Sequence, residues 1–123
     1  MPRPWFDSLR GITYAPGGET KDGADCYGLV RLAYREILRR EAPTRPTGDF
    51  DGDAPRGWQQ VSQARTGDVV VFRFHGLPCH CGVVAGRNLM LHAIQGKTSC
   101  IERFDSPMWE RRVAGFFRLQ EAQ

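Results

Sequence analysis

Gly23-Ala-Asp-Cys-Tyr-Gly-Leu-Val-Arg-Leu-Ala-Tyr-Arg-Glu-Ile-Leu-Arg-Arg40 decides how the rest of the chain is read. From Cys26 to Arg40 the spacing predicts a helix. Leu29, Val30, Ala33, Ile37 and Leu38 fall on one stripe, and Arg31, Arg35 and Arg39 take the other side. Asp25 stands where an N-cap belongs, and Arg39 and Arg40 suit the negative C-terminal end of the helix. Cys26 therefore occupies the first turn. Unpaired backbone N–H groups and the helix dipole stabilise negative charge there and lower a thiol's pKa. Gly23, Ala24 and Gly28 leave little bulk around the sulfur. A helix-start cysteine that merely packs is the bland alternative, since free cysteine is among the most buried residue types.

Downstream of Gly67 the hydrophobic period changes from helical to two. Asp68–Phe74, His80–Ala85, Leu89–Ile94, Ser99–Phe104 and Val113–Leu119 read as strands separated by short turns. One helix followed by about five strands indicates an α+β fold with an antiparallel sheet, in a single domain over residues 1–123. Upstream, residues 1–25 read as an ordered entry loop with a short helical turn near Trp5–Leu9. Residues 42–57 hold three prolines and no periodicity, and read as a loop. Asp49, Asp51 and Asp53 imitate the start of a calcium loop, but Ala54 and Gln60 stand where such a loop needs Gly and Glu, so an EF-hand is rejected.

Composition narrows the function classes. The chain has 17 Lys and Arg against 14 Asp and Glu, and the positive charge is scattered, which argues against a nucleic-acid partner. No apolar run approaches the roughly 20 residues of a membrane span. The opening MPRPWFDSLRG lacks the basic-then-apolar pattern of a secretory signal, so the expectation is cytoplasmic synthesis with any later delivery supplied by something else. In reducing conditions the four cysteines would be free thiols.

A reactive thiol needs a base. His75 precedes Gly76 and Pro78 and reads as a solvent-facing loop residue, whereas His80 and His92 lie on two strands joined near Gly86-Arg87-Asn88. A two-residue turn pairing residues 85 and 88 would put the two imidazoles on opposite faces. A three-residue loop puts them on one face, directly opposite if 84 pairs with 88 and diagonal if 85 pairs with 89. Gly86 and Asn88 tolerate the left-handed backbone such loops use, so an odd loop or a bulge is predicted. His92 could then orient His80 as the third member of a nucleophile–base–orienter set.

Five segments, in order and at matching spacing, resemble the NlpC/P60 family of papain-like cell-wall peptidases. They are Tyr14-Ala-Pro-Gly-Gly18, Gly23-Ala-Asp-Cys-Tyr-Gly-Leu29, Thr66-Gly-Asp-Val69, His80-Cys-Gly-Val83 and Met90-Leu-His-Ala93. The tail, Ile101-Glu-Arg through Arg112-Val-Ala-Gly-Phe-Phe-Arg118, looks like the subset found in phage tails and gene-transfer particles. The resemblance implies a papain-like fold and a Cys26–His80–His92 triad acting on a peptidoglycan stem peptide, between D-isoglutamate and a diamino acid, with no metal cofactor. It implies Tyr14 beside the oxyanion and Asp25 at the substrate's amino end. It also implies phage-tail partners, and action on the periplasmic cell wall from a virion or prophage-like particle.

Two positions depart from the family pattern. Tyr27 replaces the usual Ser after the nucleophile, which puts a substrate contact at that position in question. Cys81 replaces the usual aliphatic residue after the base; on a strand it faces away from His80 and reads as a small core residue. Three rivals stand beside this reading. Cys79-His80-Cys81 with His92 and Cys100 offers metal-ligand types, but alternation sets His80 against the two cysteines. An inactive tail module would use Phe104, Trp109, Phe116 and Phe117 for assembly, although core packing suits most of them. An amidase or acyltransferase of the same fold would keep the chemistry and change the substrate.

Overall fold

The computed structural model describes residues 4–43, 57–74 and 77–120. The histidine at 75, the aspartates at 49, 51 and 53 and most of the loop expected over 42–57 lie outside the described residues.

The predicted entry turn is a 3-10 turn, Pro4–Leu9, that drops Phe6 and Leu9 into the core. Two short strands follow, β1 (Glu19–Thr20) and β2 (Gly23–Ala24), paired with each other. Helix α1 then runs Cys26–Ala33. The predicted helix to Arg40 is regular only that far. Tyr34–Leu38 form a π turn, and Arg39 ends it in the left-handed region, φ 56°. Tertiary contacts accompany the widening. Tyr34 donates its hydroxyl to the Gly67 carbonyl and sets its ring edge against Trp58, 5.7 Å between centroids. Inserted π turns of this kind accommodate packing that a strict 3.6-residue period would miss.

The second half supplies β3 (Trp58–Val61), β4 (Val69–Phe74), β5 (Leu77–Gly86), β6 (Leu89–His92), β7 (Cys100–Arg103), a one-turn helix α2 (Pro107–Glu110) and β8 (Val113–Leu119). Their order in the sheet is β3-β8-β4-β5-β6-β7, antiparallel throughout. The α+β expectation of one main helix on an antiparallel sheet is what the structure shows. The sixth strand, β3, escaped the sequence because Gln59 and Gln60 break its pattern; pairing with β8 and burial of Trp58 make it a strand.

Strand alternation divides the sheet into two faces. Val69, Val71, Cys81, Val83, Ala85, Leu91 and Ala93 face α1 and form the main core with Leu29, Val30, Leu32 and Ala33. Val70, Phe72, Val84 and Met90 point the other way, onto Phe104 and Trp109. Phe104 and Phe117 are buried and Phe116 packs against Phe104, so these aromatics are core. Between β3 and β4, Gly67 (φ 97°) makes a turn that only glycine adopts freely, and the buried Asp68 receives a two-pronged Arg118 contact at 2.8 and 2.9 Å. That turn sets the start of β4, and through it the position of β5.

Candidate active site

Asp25 caps α1 as expected. Its Oδ1 accepts from the Gly28 N–H and its Oδ2 from the Gly17 N–H, each at 2.8 Å. The two bonds tie the helix start to the Pro16–Gly18 loop. Gly18 then lies so close that a Cβ on Gly28 would meet its carbonyl oxygen at 1.7 Å. The smallness of Gly28 therefore serves this loop contact rather than the sulfur. A cap of this type contributes about 1 kcal/mol. It also fixes where Cys26 emerges.

The β5–β6 hairpin realises the predicted same-face arrangement through a bulge. Gly82 pairs with His92, Val83 with Leu91 and Val84 with Met90, and then the register slips at Ala85 so that Gly86 pairs with Leu89. Asn88 takes the left-handed conformation, φ 59°. With Gly82 opposite His92, His80 is diagonal to it, and its Nε2 lies 2.8 Å from His92 Nδ1. His80 thus keeps its Nδ1 for Cys26, whose sulfur it hydrogen-bonds.

Cys26 is pulled down to about 4, so its thiolate form prevails at neutral pH. The largest cause is a hydrogen bond from the Cys81 side chain. The His80 hydrogen bond and charge add to it, against burial, which pushes the thiol up. Cys81 faces the α1 side as strand parity requires and packs in the core, but it also supports the Cys26 thiolate. Its replacement of an aliphatic residue is therefore a gain of a donor. His92 is fully buried and is lowered to about 4, first by burial and then by the His80 charge, with Glu102 acting in the opposite sense. A neutral His92 accepting at Nδ1 from His80 Nε2–H carries its own proton on Nε2.

Behind His92 the structure places two residues that sequence reasoning left out of the site. Glu102 Oε2 is 3.6 Å from His92 Nε2, and Glu102 Oε1 accepts the Trp109 indole N–H. Trp109, only 3% exposed, stacks on His80 (5.4 Å, 27°) and stands edge-on to His92 (5.2 Å, 89°). One signal was available: Glu102 lies two residues beyond the pairing partner of His92 and so shares its face. Nothing in the sequence marked Trp109, because a one-turn helix carries no period.

A cleft opens at this point, with Tyr14, Cys26 and His80 among its lining and Phe74, Ile94, Gln95 and Trp109 around them. Tyr14 bridges to Ala24, two residues before Cys26, and lines the cleft. Two expected substrate contacts are placed differently. Tyr27 is buried and donates its hydroxyl to the Pro43 carbonyl at 2.7 Å, because one helical step of about 100° turns it from the cleft into the core. Asp25 is 3% exposed, with both oxygens engaged by Gly28 and Gly17, so it shapes the cleft wall from behind. The rival metal cluster is not assembled as pictured: His80 and Cys81 take opposite faces of β5, and the side chain of residue 79 is outside the described residues.

One helix on an antiparallel sheet carries a thiolate at its start, facing two imidazoles set edge-on to each other, which are the parts a cysteine hydrolase needs. The chain belongs to the NlpC/P60 family, whose profile matches residues 11–118. It is 33% identical over 109 residues to the murein DD-endopeptidase MepS/murein LD-carboxypeptidase of Escherichia coli strain K12, covering 87% of this chain and 55% of that protein. It is 33% identical over 106 residues to a probable endopeptidase, the NlpC homolog of Haemophilus influenzae, covering 86% and 55%. The chain spans about half the length of these curated relatives. Its fold is shared with an NlpC/P60 family protein from Bacillus cereus (TM-score 0.74, 21% identity, 93% of this chain and 37% of that one). The NlpC/p60 domain of the peptidoglycan hydrolase SagA shares it too (TM-score 0.64, 24% identity, 94% and 92%).

Proposed function

We propose that the protein is a cysteine endopeptidase of peptidoglycan stem peptides that cuts the bond between D-γ-glutamate and a diamino acid. The observation that carries this reading is the single line of contacts from Cys26 through His80 to His92 at the floor of an open cleft. Similarity to a murein endopeptidase and to a peptidoglycan hydrolase supports the substrate class.

The chemistry follows from the geometry. The Cys26 thiolate attacks the amide carbon, and the carbonyl oxygen takes the negative charge. The Cys26 backbone N–H and the Tyr14 hydroxyl are the donors proposed for it. His80, donating Nε2–H to His92, gives its Nδ1 proton to the leaving amine nitrogen as the C–N bond breaks. A thioester remains. His80 then takes a proton from water, the resulting hydroxide attacks the thioester carbon, and the C–S bond breaks to restore the thiolate and release the carboxylic acid, which gives its proton to solvent. Trp109 keeps the His80 ring in plane throughout, and Glu102 favours the His92 tautomer that accepts from His80.

For its setting we propose a phage or prophage-like tail that brings the enzyme to the periplasmic cell wall, with tail proteins as partners. The similarity of the Ile101–Arg118 tail to that subset is the support.

The test is turnover of L-Ala-γ-D-Glu-diaminopimelate with products identified by mass spectrometry. Cleavage at the γ-D-Glu–diaminopimelate bond is expected, and Cys26→Ala or His80→Ala should lower it by about 10³-fold or more. An intact peptide after incubation with folded wild type would overturn the reading.

A further inference from the structure

We propose that His92, Cys100 and Glu102 form a zinc site directly behind the catalytic pair, and that zinc held there switches the nucleophile off. Binding stands independently of the activity proposed above; the switching rests on it.

The β6–β7 register builds the site. His92 pairs directly with Cys100, and Glu102 follows two residues along the same strand, so a nitrogen, a sulfur and a carboxylate share one face. Glu102 Oε2 lies 3.6 Å from His92 Nε2 and 3.7 Å from Cys100 Sγ, and all three donor atoms lie within 4.8 Å of one another. Tetrahedral zinc with bonds of about 2.0–2.3 Å separates its donors by roughly 3.3–3.6 Å. Two edges of that tetrahedron are therefore nearly in place, and a small rotation of Cys100 closes the third. The donor set fits zinc rather than calcium or magnesium, which take oxygen ligands.

A second observation points to a ligand. His92 Nε2 is buried without a hydrogen bond, in a residue of 0% exposure, and it is aimed at this spot. The other Glu102 oxygen already receives the Trp109 indole N–H, the outer-shell bond that orients metal-binding carboxylates. Cys100 is partly exposed, which gives an ion a way in. On binding, the Cys100 thiol releases its proton to solvent. Thiolate and carboxylate then balance the two charges of zinc, leaving a neutral site that is buried on its His92 side alone.

The consequence for Cys26 follows from hydrogen-bond direction. Zinc takes the Nε2 lone pair of His92, so the ring proton must sit on Nδ1, which is 2.8 Å from His80 Nε2. Two N–H groups cannot face each other at that distance. His80 must present a lone pair at Nε2 and becomes a neutral ring with its proton on Nδ1. Cys26 then faces a neutral imidazole, and the proton left on Nδ1 belongs to a ring too weakly acidic to protonate a leaving amine.

Reduced, chelator-treated protein would be titrated with Zn²⁺ by calorimetry. Cys26 alkylation by iodoacetamide would be followed by peptide mass spectrometry with and without the metal. One zinc per chain and Cys26 alkylation slowed about tenfold or more are expected, with chelator restoring the rate. Cys100→Ala should weaken zinc binding about tenfold or more and make Cys26 alkylation indifferent to zinc, with the metal-free rate unchanged. Cys100→Ser serves as the near-isosteric check should the alanine variant unfold. Zinc protection of Cys26 that persists undiminished in Cys100→Ala would place the metal on Cys26 and His80 and overturn the proposal, as would no binding to wild type. A metal-free Cys26 that resists alkylation would overturn the catalytic reading and the switch, while zinc binding lost in Cys100→Ala would still establish the site.

Discussion

Two regions meet at the cleft, and they are built on different physical terms. The Pro16–Gly28 region is local: its cap, close glycine contact and the Cys26 thiolate lie within a dozen residues, joined by Asp25 to Gly17 and Gly28. The His80–Trp109 region is assembled from three strands and a one-turn helix, and each of its parts is oriented by another. The first fixes where a thiolate stands. The second decides whether a proton can be moved. Damage to the first should therefore appear mainly as lost stability, and damage to the second mainly as lost turnover in a folded protein.

The largest effect is expected at Gly28→Ala. Its Cβ would fall 1.7 Å from the Gly18 carbonyl oxygen, a backbone atom that cannot swing aside. We expect a loss of more than about 3 kcal/mol, seen as a lower midpoint in denaturant. A midpoint within error of wild type would break the claim that the loop is locked onto the helix.

Glu102→Gln tests the other region. It keeps the size and removes the charge behind His92, and kcat should fall about 10- to 100-fold with KM and thermal stability little changed. A rise in KM alone would show that Glu102 touches substrate instead of positioning His92.

Asp25→Ala removes acceptors for two N–H groups and should cost about 1–2 kcal/mol, read as a Tm lower by several degrees. Activity lost without any change in Tm would return Asp25 to the role of substrate ligand.

The smallest effect is on pH dependence. Cys26 is depressed to about 4, so its thiolate persists above that pH and alkylation should fall only as pH drops through about 4, far below an ordinary thiol near 8.5. Cys81→Val deletes the largest cause of the depression, so the alkylation midpoint should move up. An unmoved midpoint would assign the depression to His80 and the helix start alone.

Metal binding sharpens the same contrast, since zinc at His92, Cys100 and Glu102 would act on the assembled region and leave the local one untouched.

Much of this was legible in the sequence. The N-cap at Asp25, the place of Cys26 at the start of α1 and the antiparallel strands follow from short-range rules of spacing and capping. Strand parity put His80 and His92 on one face once an odd loop or a bulge was expected near Gly86-Arg87-Asn88, and the bulge at Ala85 supplies it. Tertiary structure alone decided the rest. It turned Tyr27 into the core, made Gln59 and Gln60 part of a strand, widened the end of α1 around Tyr34, and brought Cys81 to the nucleophile. It also set Glu102 and Trp109 behind the imidazoles. Those placements depend on how strands register and how a one-turn helix packs across the sheet. Such contacts join residues distant in the chain, and no local pattern encodes them.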